Sequence, residues 1–298
     1  MKKKKLLFVL NPHSGKGQIR SKLLDIVDIF VKAGYEVRIH PTQAPKEARE
    51  LVTKKAGKFD LVVCSGGDGT LDEVVSGMMR RKERVDIGYI PAGSTNDFAV
   101  SLNLPKNMLQ AAEVAVTGTP FYCDVGNMNG KFFVYIAAFG LFTDVSYGTP
   151  QEWKNILGHA AYLMEGAKSL TGIRAYPMQV ECNGEIVQGD FIFGMVTNST
   201  SVGGFKNMTG DHVELDDGLF EVTLIKKPKN PVELSEIIRS LTNLKDETEL
   251  IYSAKAQRIS FLSEEKVAWT MDGEFGGNHT RVLIQNEKQA VAIVRKSV

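Results

Sequence analysis

The sequence predicts two domains of different class: an α/β domain with a parallel sheet over residues 1–125, and a mainly antiparallel β-sandwich over 126–298. Three observations carry this. Strand and helix signals alternate from Leu6 to Ile90. Short β-rich segments parted by turns take over after about residue 123. A glycine-rich turn, Ser65-Gly66-Gly67-Asp68-Gly69-Thr70, joins a buried strand to a helix.

In chain order, Leu6–Leu10 is an apolar strand and Gln18–Lys32 a helix with Ile19, Leu23, Ile26, Val27 and Phe30 on one face, closed by Gly34. Tyr35–His40 is the next strand and Pro45–Lys55 the next helix. Asp60–Cys64 leads through the glycine turn into a helix from Thr70 to Arg80, and Val85–Ile90 is a fourth strand. Apolar strands alternating with helices imply a parallel sheet covered on both faces. Ligands of such sheets collect beyond the carboxyl ends of the strands. The turns expected there are Asn11–Gly17, Ser65–Thr70 and Pro91–Asp97, and together they should line one crevice.

The second half reads as strands at Met178–Cys182, Ile186–Gln188, Phe191–Thr197, Leu219–Ile225, Arg258–Leu262, Val267–Met271 and Arg281–Ile284. Asn183-Gly184 is a hairpin signal. Helices are expected at Trp153–Leu170 and Pro231–Leu244, the latter with Leu234, Ile237, Ile238, Leu241 and Leu244 in line to pack on a sheet. The last strand could return to the first domain. An exposed strand edge in the second domain could support a homodimer.

Composition narrows the function. A hydrophobic fraction of 43% and a charged fraction of 24% are those of an ordinary globular protein, and a net charge of +1 argues against a nucleic-acid binder that works by bulk charge. Cys64, Cys123 and Cys182 are too scattered for a zinc site or a disulfide framework, which fits a cytoplasmic setting. The apolar run Phe132–Phe142 is well short of the ~20 residues a membrane-spanning helix needs, so it reads as one or two buried strands around Gly140. Membrane contact would be peripheral. Lys2–Lys5 could attract anionic lipid, or simply be a solvated end.

The turns carry the chemistry. Glycines between strand and helix let backbone approach a ligand, and the helix amino terminus offers N–H groups to a phosphate. Asp68 inside such a turn would repel phosphate unless a divalent cation lies between them, or unless it acts on the group being phosphorylated. Asn11-Pro12-His13-Ser14-Gly15-Lys16-Gly17 lacks P-loop spacing, although Ser14, Gly15 and Lys16 could meet phosphate. In Pro91-Ala92-Gly93-Ser94-Thr95-Asn96-Asp97, Ser94 and Thr95 are candidates for a cap and a nucleotide contact, and Asp97 alone reads as a cap. Taken singly, Asp272-Gly273-Glu274 reads as a hairpin turn, and Glu214-Leu215-Asp216-Asp217-Gly218-Leu219 as either a turn or an oxygen-rich cation site.

In this order, Asn-Pro-x-x-Gly, Gly-Gly-Asp-Gly-Thr, Pro-x-Gly-x-x-Asn-Asp-Phe-Ala, Asp-Val-Gly, Asp-Asp-Gly-x-Phe and Asp-Gly-Glu resemble the diacylglycerol kinase catalytic family. That family includes sphingosine and ceramide kinases, and the likeness is to its soluble bacterial branch. Gly66–Thr70 alone is shared with NAD kinases and phosphofructokinases; Asn96–Ala99 and Asp272–Glu274 select the lipid kinases. The resemblance implies a Rossmann-like nucleotide-binding domain, a lipid-substrate domain, and ATP in the cleft between them. Asn11, Pro12, His13, Ser14, Gly15, Thr42, Gly66, Gly67, Asp68, Gly69, Thr70, Leu71, Asp72 and Ser94 match the nucleotide-binding positions. Glu274 matches the catalytic base, and Asp68 and Asp97 match acidic positions around a catalytic magnesium. Glu214, Asp217 and Leu219 match a second, structural magnesium site, with main-chain carbonyls from Glu214 and Leu219. Asp72 stands where the family often has Asn, and Ser94 where it usually has Thr.

The activity so implied is transfer of the γ-phosphate of ATP to a lipid alcohol, diacylglycerol first, by a cytoplasmic enzyme acting transiently at the inner face of the membrane. An NAD kinase-like phosphotransferase or a non-catalytic nucleotide- or lipid-binding regulator are the alternatives. Phe139, Leu141, Phe142 and Tyr147 could shape an acyl pocket or pack in the core.

Overall fold

The computed structural model describes residues 3–15, 17–94, 96–141, 174–200, 213–242 and 248–297. Lys2, Lys16, Thr95, Phe142, Tyr147 and the helix expected at Trp153–Leu170 lie outside the described residues. Contacts divide the chain into two units, residues 1–125 with 287–298, and residues 126–286.

The first unit is built on β1 (Lys4–Leu10), β2 (Tyr35–Pro41), β3 (Leu61–Gly66) and β4 (Asp86–Pro91), joined by α1 (Ile19–Lys32), α2 (Glu47–Lys55) and α3 (Asp68–Met79). The strands lie in the order β4-β3-β1-β2 and pair in parallel. Leu6 to Leu10 and Leu61 to Ser65 are buried at every position, as strands covered on both faces must be. From α1, Ile19, Ile26 and Phe30 reach this core, and the Phe30 ring meets Phe8 edge-on at 5.3 Å. Burying each such ring contributes roughly 1.5–3 kcal/mol.

Helix α4 (Asp97–Ser101) follows the turn where caps were expected, and a helix and a strand that the sequence did not announce complete the unit: α5 (Met108–Thr117) and β5 (Thr119–Met128), the last running on into the second unit. Asn107 caps α5 by accepting hydrogen bonds from the Leu109 and Gln110 N–H groups. The end of the chain's last strand belongs here too, with Ile293 paired in parallel to Ile87 of β4.

The second unit comprises β6 (Lys131–Phe133), β7 (Ile136–Gly140), β8 (Tyr176–Cys182), β9 (Glu185–Thr197), β10 (Phe220–Lys226), α6 (Pro231–Thr242), β11 (Ile251–Ala256), β12 (Arg258–Met271) and β13 (Glu274–Arg295) up to Asn286. Its strands pair antiparallel, and β9 and β12 are long enough for β8 and then β7 to pair with both, so hydrogen bonding is continuous through the unit. Segments read as separate strands at Ile186–Gln188 and Phe191–Thr197 are one strand through Gly189, and Arg258–Leu262 with Val267–Met271 are another.

The apolar face of this sheet makes one cluster that includes Phe133, Phe139, Phe191, Phe220, Phe261 and Trp269. Phe139 therefore packs in the core, 4.9 Å from the Trp269 ring. Asn183 and Gly184, both at positive φ, make the expected tight hairpin between β8 and β9. In α6, Leu234 and Ile237 are buried. Its start is closed reciprocally: Asn230 accepts from the Glu233 N–H, and Glu233 accepts from the Lys229 N–H. No described helix is long and apolar enough to cross a membrane.

Candidate functional site

In the first unit, loops following β1 to β4 are tied together by backbone contacts. The Asn11 N–H donates to the Ser65 carbonyl at 2.9 Å, and the Ala92 N–H to the Gly66 carbonyl at 2.8 Å. Thr42 donates its N–H to the Leu10 carbonyl at 2.9 Å, which sets it beside Asn11. The Asn11 side chain accepts from the His13 N–H at 2.9 Å, and Ser14 Oγ accepts from the Gly67 N–H at 3.3 Å.

Two glycines make the approach possible. Gly15 has φ +57°, and a Cβ there would lie 2.3 Å from the Ala92 carbonyl oxygen. A Cβ on Gly93 would lie 2.6 Å from the Gly67 Cα. The result is a cradle of main chain at the carboxyl edge of the parallel sheet, and any side chain at these points would force its loops apart. Beside it is a cavity of about 730 Å³ whose lining includes Gly15, Gln18, Gly93, Ser94 and Asn103. A triphosphate suits such a cradle, because helix α3 opens there at Asp68 and helix amino termini favour anions.

Acidic residues border the cradle. Asp68 begins α3 and its carboxylate accepts a hydrogen bond from the Asp97 N–H at 3.2 Å. Asp97 begins α4 and is 3% exposed. Asp72 lies one turn further along α3 and accepts from Ser76 Oγ. Carboxylates next to a phosphate cradle are the hard oxygen donors that magnesium takes, one or two at a time, together with phosphate oxygens.

Two residues to which the sequence assigned no role in the site, Asn96 of the motif and Tyr89, hold this arrangement. Asn96 has φ +54°, and its side chain accepts from the Gly93 N–H and donates to the Gly93 carbonyl. The Tyr89 hydroxyl lies 3.3 Å from the Gly66 carbonyl and 3.4 Å from the Asn96 side-chain oxygen. Burial, with Asp68 nearby, raises its phenol well above the usual range. The available signal was a tyrosine inside an otherwise apolar strand, since a buried hydroxyl requires a partner.

The remaining site candidates belong to the second unit. Glu274 is exposed at the start of β13, directly after the Asp272-Gly273 turn, and pairs with Met271. Asp217 accepts from the Leu219 N–H at 2.8 Å, while the Lys255 ammonium lies 3.8 Å from its other oxygen and 3.2 Å from Glu221. Glu214 is exposed. An ammonium beside the one carboxylate of the expected second magnesium site competes with a metal there. Among the described residues no cluster of three or more His, Cys, Asp and Glu side chains could hold a metal ion.

Comparison with known proteins agrees with these motifs. The family described as the diacylglycerol kinase catalytic domain matches residues 5–128. A diacylglycerol kinase of Bacillus subtilis (strain 168) is 34% identical, the match covering 96% of this chain and 98% of the relative. A diacylglycerol kinase of Staphylococcus aureus (strain bovine RF122 / ET3-1) is also 34% identical, covering 92% and 87%. The crystal structure of a diacylglycerol kinase from Bacillus anthracis str. Sterne matches in fold, with a TM-score of 0.76 at 23% identity over 99% of this chain and 98% of that one. With a relative this similar along nearly its whole length, the chain belongs to the diacylglycerol kinase family and is a kinase.

Proposed function

We propose that this kinase transfers the γ-phosphate of ATP to the hydroxyl of a lipid alcohol, diacylglycerol in the first instance, giving phosphatidic acid. The observation that supports it best is the main-chain cradle of Gly15, Gly67 and Gly93 with Asp68 and Asp97 joined at its edge. The names of the most similar relatives point to the same substrate.

In this reading the N–H groups around Ser14–Gly15 and Gly66–Asp68 bind the phosphates, and Thr42, Asp72 and Ser94 meet the rest of the nucleotide. Asp68 and Asp97 would hold magnesium, which supplies charge neutralisation on the transferring phosphoryl group. Glu274 accepts the proton of the lipid hydroxyl as the hydroxyl oxygen attacks the γ-phosphorus, and the bond from that phosphorus to the β–γ bridging oxygen breaks to release ADP. A lipid alcohol is a weak nucleophile at neutral pH, and a positioned base contributes roughly 10²–10⁴-fold. The proposed step does not draw on the second magnesium site expected at Glu214, Asp217 and Leu219.

Glu274→Gln tests the assignment. Turnover should fall by about 10²–10⁴-fold while nucleotide affinity stays within about twofold of the parent. Near-normal turnover in that variant would remove Glu274 from the reaction.

A further inference from the structure

An Asp-Gly hairpin turn ordinarily leaves its aspartate in solvent, because the residue is there to accept a positive φ. Asp272 does adopt that conformation, at φ +47°, yet it is only 5% exposed. Its carboxylate faces inward and accepts hydrogen bonds from three consecutive backbone N–H groups, those of Val134 at 2.5 Å and of Tyr135 and Ile136 at 3.0 Å. Its own N–H donates to the Ile136 carbonyl at 2.9 Å. The loop it grips is held from the far side as well. Thr197 Oγ1 donates to the Tyr135 carbonyl at 2.6 Å, and the Asn198 N–H donates to the same oxygen at 2.9 Å.

Glu274 stands two residues beyond Asp272, where the hairpin returns along β13. The turn that aims it is therefore fastened to a buried segment by four hydrogen bonds made by one residue. We infer that Asp272 is a positioning residue for Glu274: it fixes the turn and so the direction of the carboxylate that takes the substrate proton. This rests on the proposed role of Glu274 and deepens it. A base works only when held to the geometry of proton transfer, and misplacement by about 1 Å can cost 10²-fold.

Asp272→Asn is the informative change. Asparagine keeps the positive φ, but its single amide oxygen cannot replace two carboxylate oxygens, and its NH₂ would face a donor. The expected result is a fall in kcat of about ten- to a hundredfold with KM for ATP within about twofold of the parent. The same substitution is then made in the Glu274→Gln protein. If Asp272 acts through Glu274, it should there cost less than about twofold more. Equal losses in both backgrounds would overturn the inference and leave Asp272 a role in folding alone. Thermal melting of each variant shows whether it folds. Should Asp272→Asn fail to, Thr197→Val loosens the same loop through Tyr135 and is put through the same cycle, with the same two outcomes. Near-normal turnover of Glu274→Gln by itself contradicts the role of Glu274, a result separable from an additive cycle.

Discussion

A few atoms at Gly15 decide whether the β1 and β4 loops can share one ligand. At φ +57° any side chain costs about 1–2 kcal/mol in backbone conformation, and a methyl would press on the Ala92 carbonyl. Gly15→Ala should therefore fold but raise KM for ATP by about tenfold or more, read by titration with the nucleotide. A normal KM would mean that the loops do not form the phosphate cradle. Asp72 is open to a test of the opposite sign. Removing its charge next to the cradle in Asp72→Asn should tighten ATP binding in the absence of magnesium, by about 0.5–1 kcal/mol. Unchanged affinity would place Asp72 away from the phosphates.

Among the elements, β10 and β11 carry a buried charge whose effect can be measured. Glu221 on β10 is 5% exposed, and burial pushes its carboxyl up to about 7 despite the Lys255 ammonium 3.2 Å away, with Asp217 adding to the rise. The folded state thus holds a proton that the unfolded chain, with an ordinary value of 4.5, releases sooner. The resulting stability is complete below pH 4.5 and is lost as the pH rises through about 7. Melting temperature attributable to the second unit should fall between pH 5 and 8, and Glu221→Gln should flatten that slope; an identical slope in the variant would contradict it.

Elements were legible in the sequence where periodicity and punctuation coincide. Leu6–Leu10 and the hairpin at Asn183-Gly184 are examples, because an unbroken apolar run or an Asn-Gly pair has few alternative conformations. Strands β9 and β12 were each read as two: Gly189 mimics a turn although its pairing with β8 carries through, and the polar stretch Ser263–Lys266 shifts the register with β13 without ending β12. Only Arg281–Ile284 was legible within the 22 residues of β13, whose remainder alternates too weakly to announce a strand.

On the scale of the whole molecule, the order of the motifs revealed more than any one of them. Asn11, Thr42, Gly66 and Gly93 are distant in sequence, yet the parallel register of β1 to β4 brings the loops that carry them to one edge. Strand order in an α/β sheet makes that predictable. The supporting contacts were not legible: Tyr89 under the glycine turn and Asp272 under the DGE turn act through hydrogen bonds to backbone far off in the chain. Local pattern can show that a buried Tyr89 hydroxyl needs a partner, but not which distant backbone group supplies it.

The most direct measurement is phosphate transfer itself. Purified protein is incubated with γ-labelled ATP, magnesium and mixed micelles containing diacylglycerol, ceramide or a sphingoid base, with NAD as a soluble acceptor. Label should appear in diacylglycerol as phosphatidic acid, and Glu274→Gln should reduce it by about 10²-fold or more. Label in NAD alone, or no transfer to any lipid by protein that binds ATP, would contradict the lipid-kinase account.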